Sequence, residues 1–255
     1  MADAPARELL FGAGQRLVFI GDSITDCGRR TEALAPYGNG YVSLVRALLL
    51  ARYPERGLEI VNRGIGGNTV RHLAQRWEQD VIAERPDWLS VKIGINDVWR
   101  TIAGRLDEAV PLDEYEATYR RLLAETQAHT KARLILMEPY VIAPPVKGDP
   151  VAASGLTLEE VQRLYPELRQ RGITEGPELD AVMMHFRAKM DEYIAAVHRL
   201  AGEFGAVLVR TQAAFDEAIQ GKPPSFWAAD RVHPGLPGHA VIARAFLRAT
   251  GYGDI

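Results

Sequence analysis

A serine directly follows the first apolar run of the sequence and is placed to act as a nucleophile. In Gly21-Asp22-Ser23-Ile24-Thr25, the glycine permits a tight turn, so the hydroxyl of Ser23 can stand at the tip of a strand. A simpler interpretation is that Asp22 or Ser23 caps the next helix or closes a turn. The motif is not the G-x-S-x-G nucleophile elbow, because Thr25 occupies the last glycine position, and this disfavours a standard α/β-hydrolase.

A histidine near the carboxyl end has an aspartate three residues before it. In Asp230-Arg231-Val232-His233-Pro234, the carboxylate of Asp230 can bend back to one ring nitrogen of His233 and leave the other to face a nucleophile. The following proline biases His233 away from helical geometry. The other histidines are expected to have packing or surface roles, since they lie within or at the start of helical patterns: His72, His129, His185, His198 and His239.

Two further segments are suited to stabilising a negative oxygen. Gly66 and Gly67 belong to a glycine-rich stretch after the second apolar run, where main-chain N–H groups can approach a ligand closely. This stretch lacks the Lys-Ser/Thr of a phosphate loop and the third glycine of a dinucleotide fingerprint. Asn96 follows the third apolar run, and its amide can donate a hydrogen bond to an oxyanion. Each segment alone is more often a turn, but three such segments after three consecutive strands are harder to explain that way.

Five short apolar runs predict the strands that position these side chains. They cover residues 16–20, 58–62, 88–93, 133–137 and 206–209. Helical periodicity between them predicts helices over residues 41–53, 70–85, 113–130, 179–204 and 239–250. Buried strands that alternate with helices favour a three-layer α/β sandwich with a five-stranded parallel sheet. The active site of such a fold is expected beyond the carboxyl ends of the strands.

One segment, residues 144–177, interrupts this alternation. It is rich in proline and glycine and contains a predicted helix over residues 157–171, whose start has the capping pattern Thr157-Leu158-Glu159-Glu160. Because the segment exceeds the usual length of a loop, we expect either a lid over the site or an assembly element of a homo-oligomer. We predict one domain over residues 1–255 that carries this insertion.

Composition and charge exclude several classes of partner and site. Hydrophobic residues make up 47% and charged residues 25% of the 255 residues, and the formal net charge is -3, so the basic footprint of a nucleic-acid-binding protein is missing. The single cysteine, Cys27, excludes an internal disulfide and a four-thiolate zinc site. The amino terminus lacks a basic patch before a long apolar core, and no stretch approaches about 18 apolar residues. The sequence therefore predicts a cytoplasmic protein without a membrane partner.

The four blocks that contain Ser23, Gly67, Asn96 and His233 resemble, in this order, those of the SGNH hydrolases, also called the GDSL esterase and lipase family. The resemblance covers residues 11–143 and 179–252. It implies a flavodoxin-like sandwich in which Ser23 is the nucleophile, His233 the general base and acid, and Asp230 its orienting partner. It also implies an oxyanion hole formed by the N–H groups of Ser23 and Gly67 and the amide of Asn96. Neither a cofactor nor a metal is implied.

Longer stretches look most like bacterial intracellular esterases that remove acetyl groups from xylan fragments. These stretches are GDSITDCGR, RWEQDVIAERPDWLSVKIGINDVWR, LDEYEATYR and TQAAF. We therefore expect a serine esterase that acts on acetylated xylo-oligosaccharides, or another short-chain ester, with Asp22, Trp99, Arg100 and Trp227 near the substrate. Packing roles are equally compatible with these side chains. The alternatives are a lysophospholipase or acyl-thioesterase of the same family and, from a different class, a non-catalytic carbohydrate-binding protein on this frame.

Overall fold

The computed structural model describes residues 9–252, which contain a five-stranded parallel sheet. Its strands are β1 (Arg16–Gly21), β2 (Glu59–Gly64), β3 (Trp88–Lys92), β4 (Arg133–Met137) and β5 (Val207–Val209). Their order in the sheet is β2-β1-β3-β4-β5. The predicted α/β fold with a five-stranded parallel sheet is confirmed, and each predicted strand agrees with an observed one to within two residues at either end.

Helices cover both faces of the sheet. They are α1 (Ser23–Asp26), α2 (Tyr41–Arg52), α3 (Val70–Trp77), α4 (Ile95–Ile102), α5 (Leu112–His129), α6 (Pro150–Ser154), α7 (Leu158–Gln170), α8 (Pro177–Glu203), α9 (Thr211–Ala218), α10 (Pro224–Trp227) and α11 (Leu236–Ala249). The chain adds β2 on one side of β1 and β3 on the other side. Because both crossovers are expected to be right-handed, α2 lies on one face of the sheet and α3 on the other. On the first face α11 packs against α2 and α9, and on the second α5 packs against α3 and α8. Within residues 9–252, no helix has the length and apolar character needed to cross a bilayer.

The register of the sheet brings the ends of its strands level. Gly21 at the end of β1 pairs with Gly64 on one side and with Lys92 on the other, and Lys92 pairs with Met137. The loops that follow β1, β2 and β3 therefore leave from the same edge of the sheet. This edge is where the fold is expected to hold an active site.

Two helices differ from their predicted extents. The pattern over residues 70–85 forms the short α3 and then a π-helical turn, Glu78–Ile82. The last helix begins at Leu236 instead of residue 239, because Pro237 is accommodated in its first turn, where no intrahelical N–H is needed. His239 consequently lies inside α11, where it is buried.

Residues 144–177 pack into the same core as the sheet. Helix α7 has the predicted capping box, since the hydroxyl of Thr157 accepts the N–H of Glu160 and the Glu160 carboxylate accepts the N–H of Thr157. The spacing of Val161, Tyr165 and Leu168 puts their buried side chains on one face of α7, which packs against α4 and α8. Apolar burial therefore anchors α7, the central helix of this segment, to the core.

Candidate active site

The turn after β1 presents Ser23 at the edge of the sheet. Ser23 is the first residue of α1, and Asp22 caps this helix by accepting a hydrogen bond from the N–H of Ile24 at 3.0 Å. Gly21 is required here, because a Cβ at this position would lie 2.3 Å from the main-chain oxygen of Lys92. Asp22, predicted to lie near the substrate, is fully buried and does not line the pocket described below.

Ser23, His233 and Asp230 form a continuous line of hydrogen bonds. Ser23 Oγ lies 2.9 Å from His233 Nε2, and His233 Nδ1 lies 2.8 Å from Asp230 Oδ2. An ionised carboxylate only accepts hydrogen bonds, so Nδ1 carries the proton and Nε2 is left to accept the proton of the serine hydroxyl. This is the tautomer that a general base requires.

The loop between Asp230 and His233 is held by several main-chain hydrogen bonds. Asp230 Oδ1 accepts the N–H groups of His233 at 2.7 Å and of Val232 at 3.1 Å. The hydroxyl of Tyr140 donates to the main-chain oxygen of Val232 at 3.1 Å. Arg231 has a φ of 67°, which is unfavourable for a residue with a side chain, and its guanidinium pairs with a carboxylate on α8. These contacts support the conformation of the loop that holds Asp230 beside His233.

These contacts change the pKa values of both members of the pair. Burial alone would raise the pKa of Asp230, but the hydrogen bonds from the side chain and the N–H of His233 outweigh it and hold that pKa well below its usual range. The hydrogen bond to Asp230 raises the pKa of His233, and partial burial opposes this effect. Asp230 is therefore held in its ionised form, which can stabilise a protonated imidazole at His233.

Gly67 and Asn96 reach the same pocket from the loops after β2 and β3. Gly67 has a φ of 76°, and the neighbouring N–H of Gly66 is bound to Asp26 Oδ2 at 3.0 Å. Asn96 lies in the first turn of α4, and its Nδ2 donates to the main-chain oxygen of Asn68 at 2.9 Å. The two loops are thus joined beside Ser23. Their donors have the chemistry needed to stabilise a tetrahedral oxyanion.

A pocket of about 220 Å³ brings together the residues of the predicted site. It is lined by Ser23, Gly67, Ile95, Asn96, Trp99, Tyr165, Arg169, Asp230, Val232 and His233. A larger groove of about 360 Å³ lies elsewhere, between α9, α10 and α11. We assign the chemistry to the smaller pocket because it contains the serine, the histidine and the aspartate.

The other residues that were predicted to lie near the substrate, Trp99, Arg100 and Trp227, have three different positions in the structure. Trp99 lines the pocket. The side chain of Arg100 is only 12% exposed and donates to the main-chain oxygen of Gly67 at 3.2 Å, so it supports the pocket wall. Trp227 lines the larger groove, and its Nε1 donates to the main-chain oxygen of Lys222 at 3.2 Å. The structure therefore does not bring Trp227 to the predicted site.

Two pocket residues on α7 were not predicted from the sequence. The hydroxyl of Tyr165 accepts a hydrogen bond from Trp99 Nε1 at 3.1 Å. Arg169 lies one turn further along α7, and its Nη1 is 3.4 Å from Asp230 Oδ2. Their i, i+4 spacing puts them on one side of the helix, but this spacing does not show which part of the protein that side contacts.

Comparison with known protein families assigns the chain. The model of the GDSL-like Lipase/Acylhydrolase family matches residues 19–241. The chain belongs to this family. It is 44% identical over 247 residues to an acetylxylan esterase from Geobacillus stearothermophilus, and the alignment covers 94% of this chain and 96% of that relative.

Several solved structures share the fold along almost the whole chain. The crystal structure of Axe2, an acetylxylan esterase from Geobacillus stearothermophilus, has a TM-score of 0.76 and 42% identity, with coverage of 95% of this chain and 97% of that one. LAE5, an alpha/beta hydrolase enzyme from the metagenome of Lake Arreo, Spain, has a TM-score of 0.76 and 40% identity, with coverage of 96% and 98%. Three further structures are of catalytic mutants of Axe2 in which a serine, a histidine or an aspartate is replaced by alanine.

Proposed function

We propose that this protein is a serine esterase that removes acetyl groups from xylo-oligosaccharides through a covalent acyl-enzyme. The observation that carries the proposal is the line of hydrogen bonds from Ser23 through His233 to Asp230, at 2.9 Å and 2.8 Å, which borders the pocket with Gly67 and Asn96. Family membership supports ester hydrolysis, and 44% identity to an acetylxylan esterase supports the acetylated sugar as substrate.

Acylation begins with Ser23. Its oxygen attacks the carbonyl carbon of the ester while His233 Nε2 takes the hydroxyl proton. The carbonyl oxygen becomes negative and is stabilised by the N–H groups of Ser23 and Gly67 and by the amide of Asn96. When the intermediate collapses, the bond to the sugar oxygen breaks, and His233 gives its proton to that oxygen. The products of this half-reaction are a free sugar hydroxyl and an acetylated Ser23.

Deacylation repeats these steps with water as the nucleophile. His233 takes a proton from water, the resulting oxygen attacks the acetyl carbonyl, and the same donors stabilise the negative oxygen. Collapse then releases acetic acid and returns the proton to Ser23. Asp230 stays ionised throughout, because its contacts with His233 keep its pKa well below its usual range. The proposed cycle uses no cofactor and no metal.

The size of the pocket favours a short acyl group. At about 220 Å³ it is smaller than the roughly 300–1,000 Å³ typical of drug-sized ligand sites. The aromatic side chains of Trp99 and Tyr165 border it, and their hydrogen bond to each other fixes both rings. A lysophospholipase would need a longer apolar groove, so this alternative is less well supported.

A fluorophosphonate probe tests the first part of the proposal. The probe is expected to form one covalent adduct, which maps to Ser23 by peptide mass spectrometry, and the Ser23→Ala variant should not react. A folded wild-type protein that forms no adduct would contradict the esterase proposal and favour the non-catalytic carbohydrate-binding protein.

A panel of esters tests the substrate. Acyl chains from acetyl to octanoyl on one alcohol, together with acetylated xylo-oligosaccharides, should give kcat/KM values that are highest for acetyl and for the sugar esters. A preference for the long chains, or for thioesters, would favour the alternative members of the family.

We also propose a role for the inserted segment, a cellular compartment and an oligomeric state. We propose one domain in which residues 144–177 form a wall or lid of the pocket, because α7 contributes Tyr165 and Arg169. Cytoplasmic location and a homo-oligomer remain predictions from the sequence. Cell fractionation and sedimentation of the purified protein would test them.

A further inference from the structure

The insertion places a positive charge beside the catalytic pair. Arg169 Nη1 on α7 lies 3.4 Å from Asp230 Oδ2, the same oxygen that accepts the hydrogen bond from His233 Nδ1. One carboxylate oxygen thus interacts with two groups that compete for its negative charge. One of them, the guanidinium, is always charged, whereas the imidazole gains its charge during the reaction.

Arg169 is not needed to keep Asp230 in place. Asp230 Oδ1 already accepts the N–H groups of Val232 and His233, and Oδ2 accepts His233 Nδ1. The side chain of Arg169 is 47% exposed, so solvent screens its charge and the effect on the pair is small and dependent on salt. Burial of Tyr165 one turn earlier packs the backbone of α7 against the pocket and so places Arg169 beside Asp230.

We propose that Arg169 is a positioning residue that acts through Asp230: its charge competes with His233 for this carboxylate and so extends esterase activity to lower pH. The proposal rests on the proposed function. Without the guanidinium, Asp230 would stabilise the imidazolium more strongly. His233 would then be protonated, and unable to act as a base, at a higher pH.

The other charged groups around His233 do not oppose its protonation in this way. Asp230 on its own loop and Asp22 after β1 both favour the charged imidazole, and they raise its pKa, whereas burial and Arg169 lower it. His239 on α11 has a pKa of about 4, for which burial is the largest cause, so it is neutral over the working range. Ser23 on α1 contributes only an uncharged hydroxyl. Arg169 is therefore the charge in this group that favours the neutral base.

The test compares Arg169→Gln with Arg169→Lys and with a control, Arg163→Gln, which removes an exposed charge about 9 Å from Arg169 along the axis of α7, towards its N-terminus. The profile of kcat/KM against pH is measured with 4-nitrophenyl acetate at low and at high salt. For Arg169→Gln the acidic limb should move to higher pH by a few tenths of a pH unit at low salt, and this shift should shrink in about 1 M salt. Arg169→Lys should restore most of the wild-type profile, and Arg163→Gln should leave it unchanged.

Two outcomes would overturn the proposal. An unmoved acidic limb with a lower melting temperature would mean that Arg169 only supports the fold, and an equal shift in Arg163→Gln would mean a general charge effect of the helix. The protonation of the His233 ring is also followed by NMR in the wild type and in Arg169→Gln. This second readout does not need turnover, so it decides the role of Arg169 even if the protein proves not to be an esterase.

Discussion

The side-chain nitrogen of Asn96 donates a hydrogen bond to the main-chain oxygen of Asn68 at 2.9 Å. This bond joins the loop after β3 to the loop after β2, which carries Gly67. An amide nitrogen has two N–H groups, so the second one remains to point into the pocket. Asn96 thus holds the loop that carries Gly67 and has a second N–H group for its proposed role in stabilising an oxyanion.

Asn96→Ala should lower kcat far more than it changes KM. The amide meets the carbonyl oxygen mainly after it has become tetrahedral and negative, so its loss affects the transition state more than the bound ester. Removal of one oxyanion donor typically lowers kcat by about 10²–10³. Asn96→Asp should be no better, because a carboxylate would repel the developing charge. Steady-state kinetics with an acetyl ester measures both variants.

Melting temperature, measured on the same Asn96→Ala preparation, separates catalysis from support of the loop. Loss of the bond to Asn68 should cost about 1 kcal/mol of unfolding free energy, or about 2–4 °C in a chain of this size. A variant that is destabilised but fully active in its folded fraction would remove Asn96 from the site.

Ser23→Ala should abolish turnover and leave the fold intact. The serine is partly exposed at the tip of β1, so its hydroxyl contributes chemistry and little core packing. Circular dichroism and melting temperature should match the wild type, while esterase activity falls to background. Retention of more than a few per cent of the activity, after contamination is excluded with a fluorophosphonate, would identify another residue as the nucleophile.

The fold and the line of hydrogen bonds were predictable because they depend on local patterns and parallel pairing. Buried parallel strands are apolar along their length, so five short runs gave the sheet, and its level strand ends brought Ser23 and Asn96 together. The spacing of Asp230 and His233 was sufficient because both lie in one loop. These features need little knowledge of how distant segments pack.

The remaining parts of the site depend on tertiary packing, which the sequence pattern does not specify. Trp227 is three residues before Asp230, yet the chain turns there, with the N–H of Gly235 bound to the main-chain oxygen of Trp227 at 2.9 Å, and the ring faces another groove. Arg169, in contrast to Trp227, is distant from the other site residues in sequence. It reaches the site only because α7 packs on α4 and α8. Asp22 lies next to Ser23 in the sequence and was therefore expected near the substrate. In the structure its side chain caps α1 and is buried.

The acidic limb of kcat/KM should lie at a higher pH than an ordinary histidine would give. His233 must be neutral to accept a proton, and its hydrogen bond to Asp230 raises its pKa above the usual value of about 6.5. Asp230→Asn removes this stabilisation, so the limb should move to lower pH, while the plateau of kcat falls by up to about 10⁴. A flat profile across the histidine range in the wild type would contradict the role of His233.

Asp97 should make the protein less stable as the pH rises from about 4 to 7. Burial raises its pKa to about 7, although the N–H of Val70 donates to its Oδ1 at 2.9 Å. The unfolded value is about 3.9, so between these pH values the folded state binds the proton more tightly, and unfolding free energy is lost as the pH rises. The loss amounts to at most about 4 kcal/mol at 1.36 kcal/mol per pH unit. It is complete above the folded pKa.

Asp97→Asn should remove this slope, because the amide oxygen can still accept the N–H of Val70 but does not titrate. Urea unfolding at several pH values between 4 and 8 should show that the variant gains stability relative to the wild type across this window. Parallel curves for the two proteins would show that Asp97 keeps an ordinary carboxyl pKa in the folded state.

Lys92 should make the protein more stable as the pH rises in the alkaline range. The residue is fully buried, its Nζ lies 4.6 Å from the centre of the Tyr140 ring, and burial lowers its pKa, which the charge of Asp22 only partly offsets. An unfolded lysine has a pKa of about 10.4, so from the lowered value up to this pH the unfolded state binds more protons and stability rises with pH. Lys92→Met lacks this gain, so its unfolding free energy relative to the wild type should decline as the pH rises towards about 10.4. Urea unfolding at several alkaline pH values measures the difference, with Lys131→Met as a control for the loss of an exposed lysine. A constant difference for Lys92→Met would show that Lys92 titrates like a lysine in water.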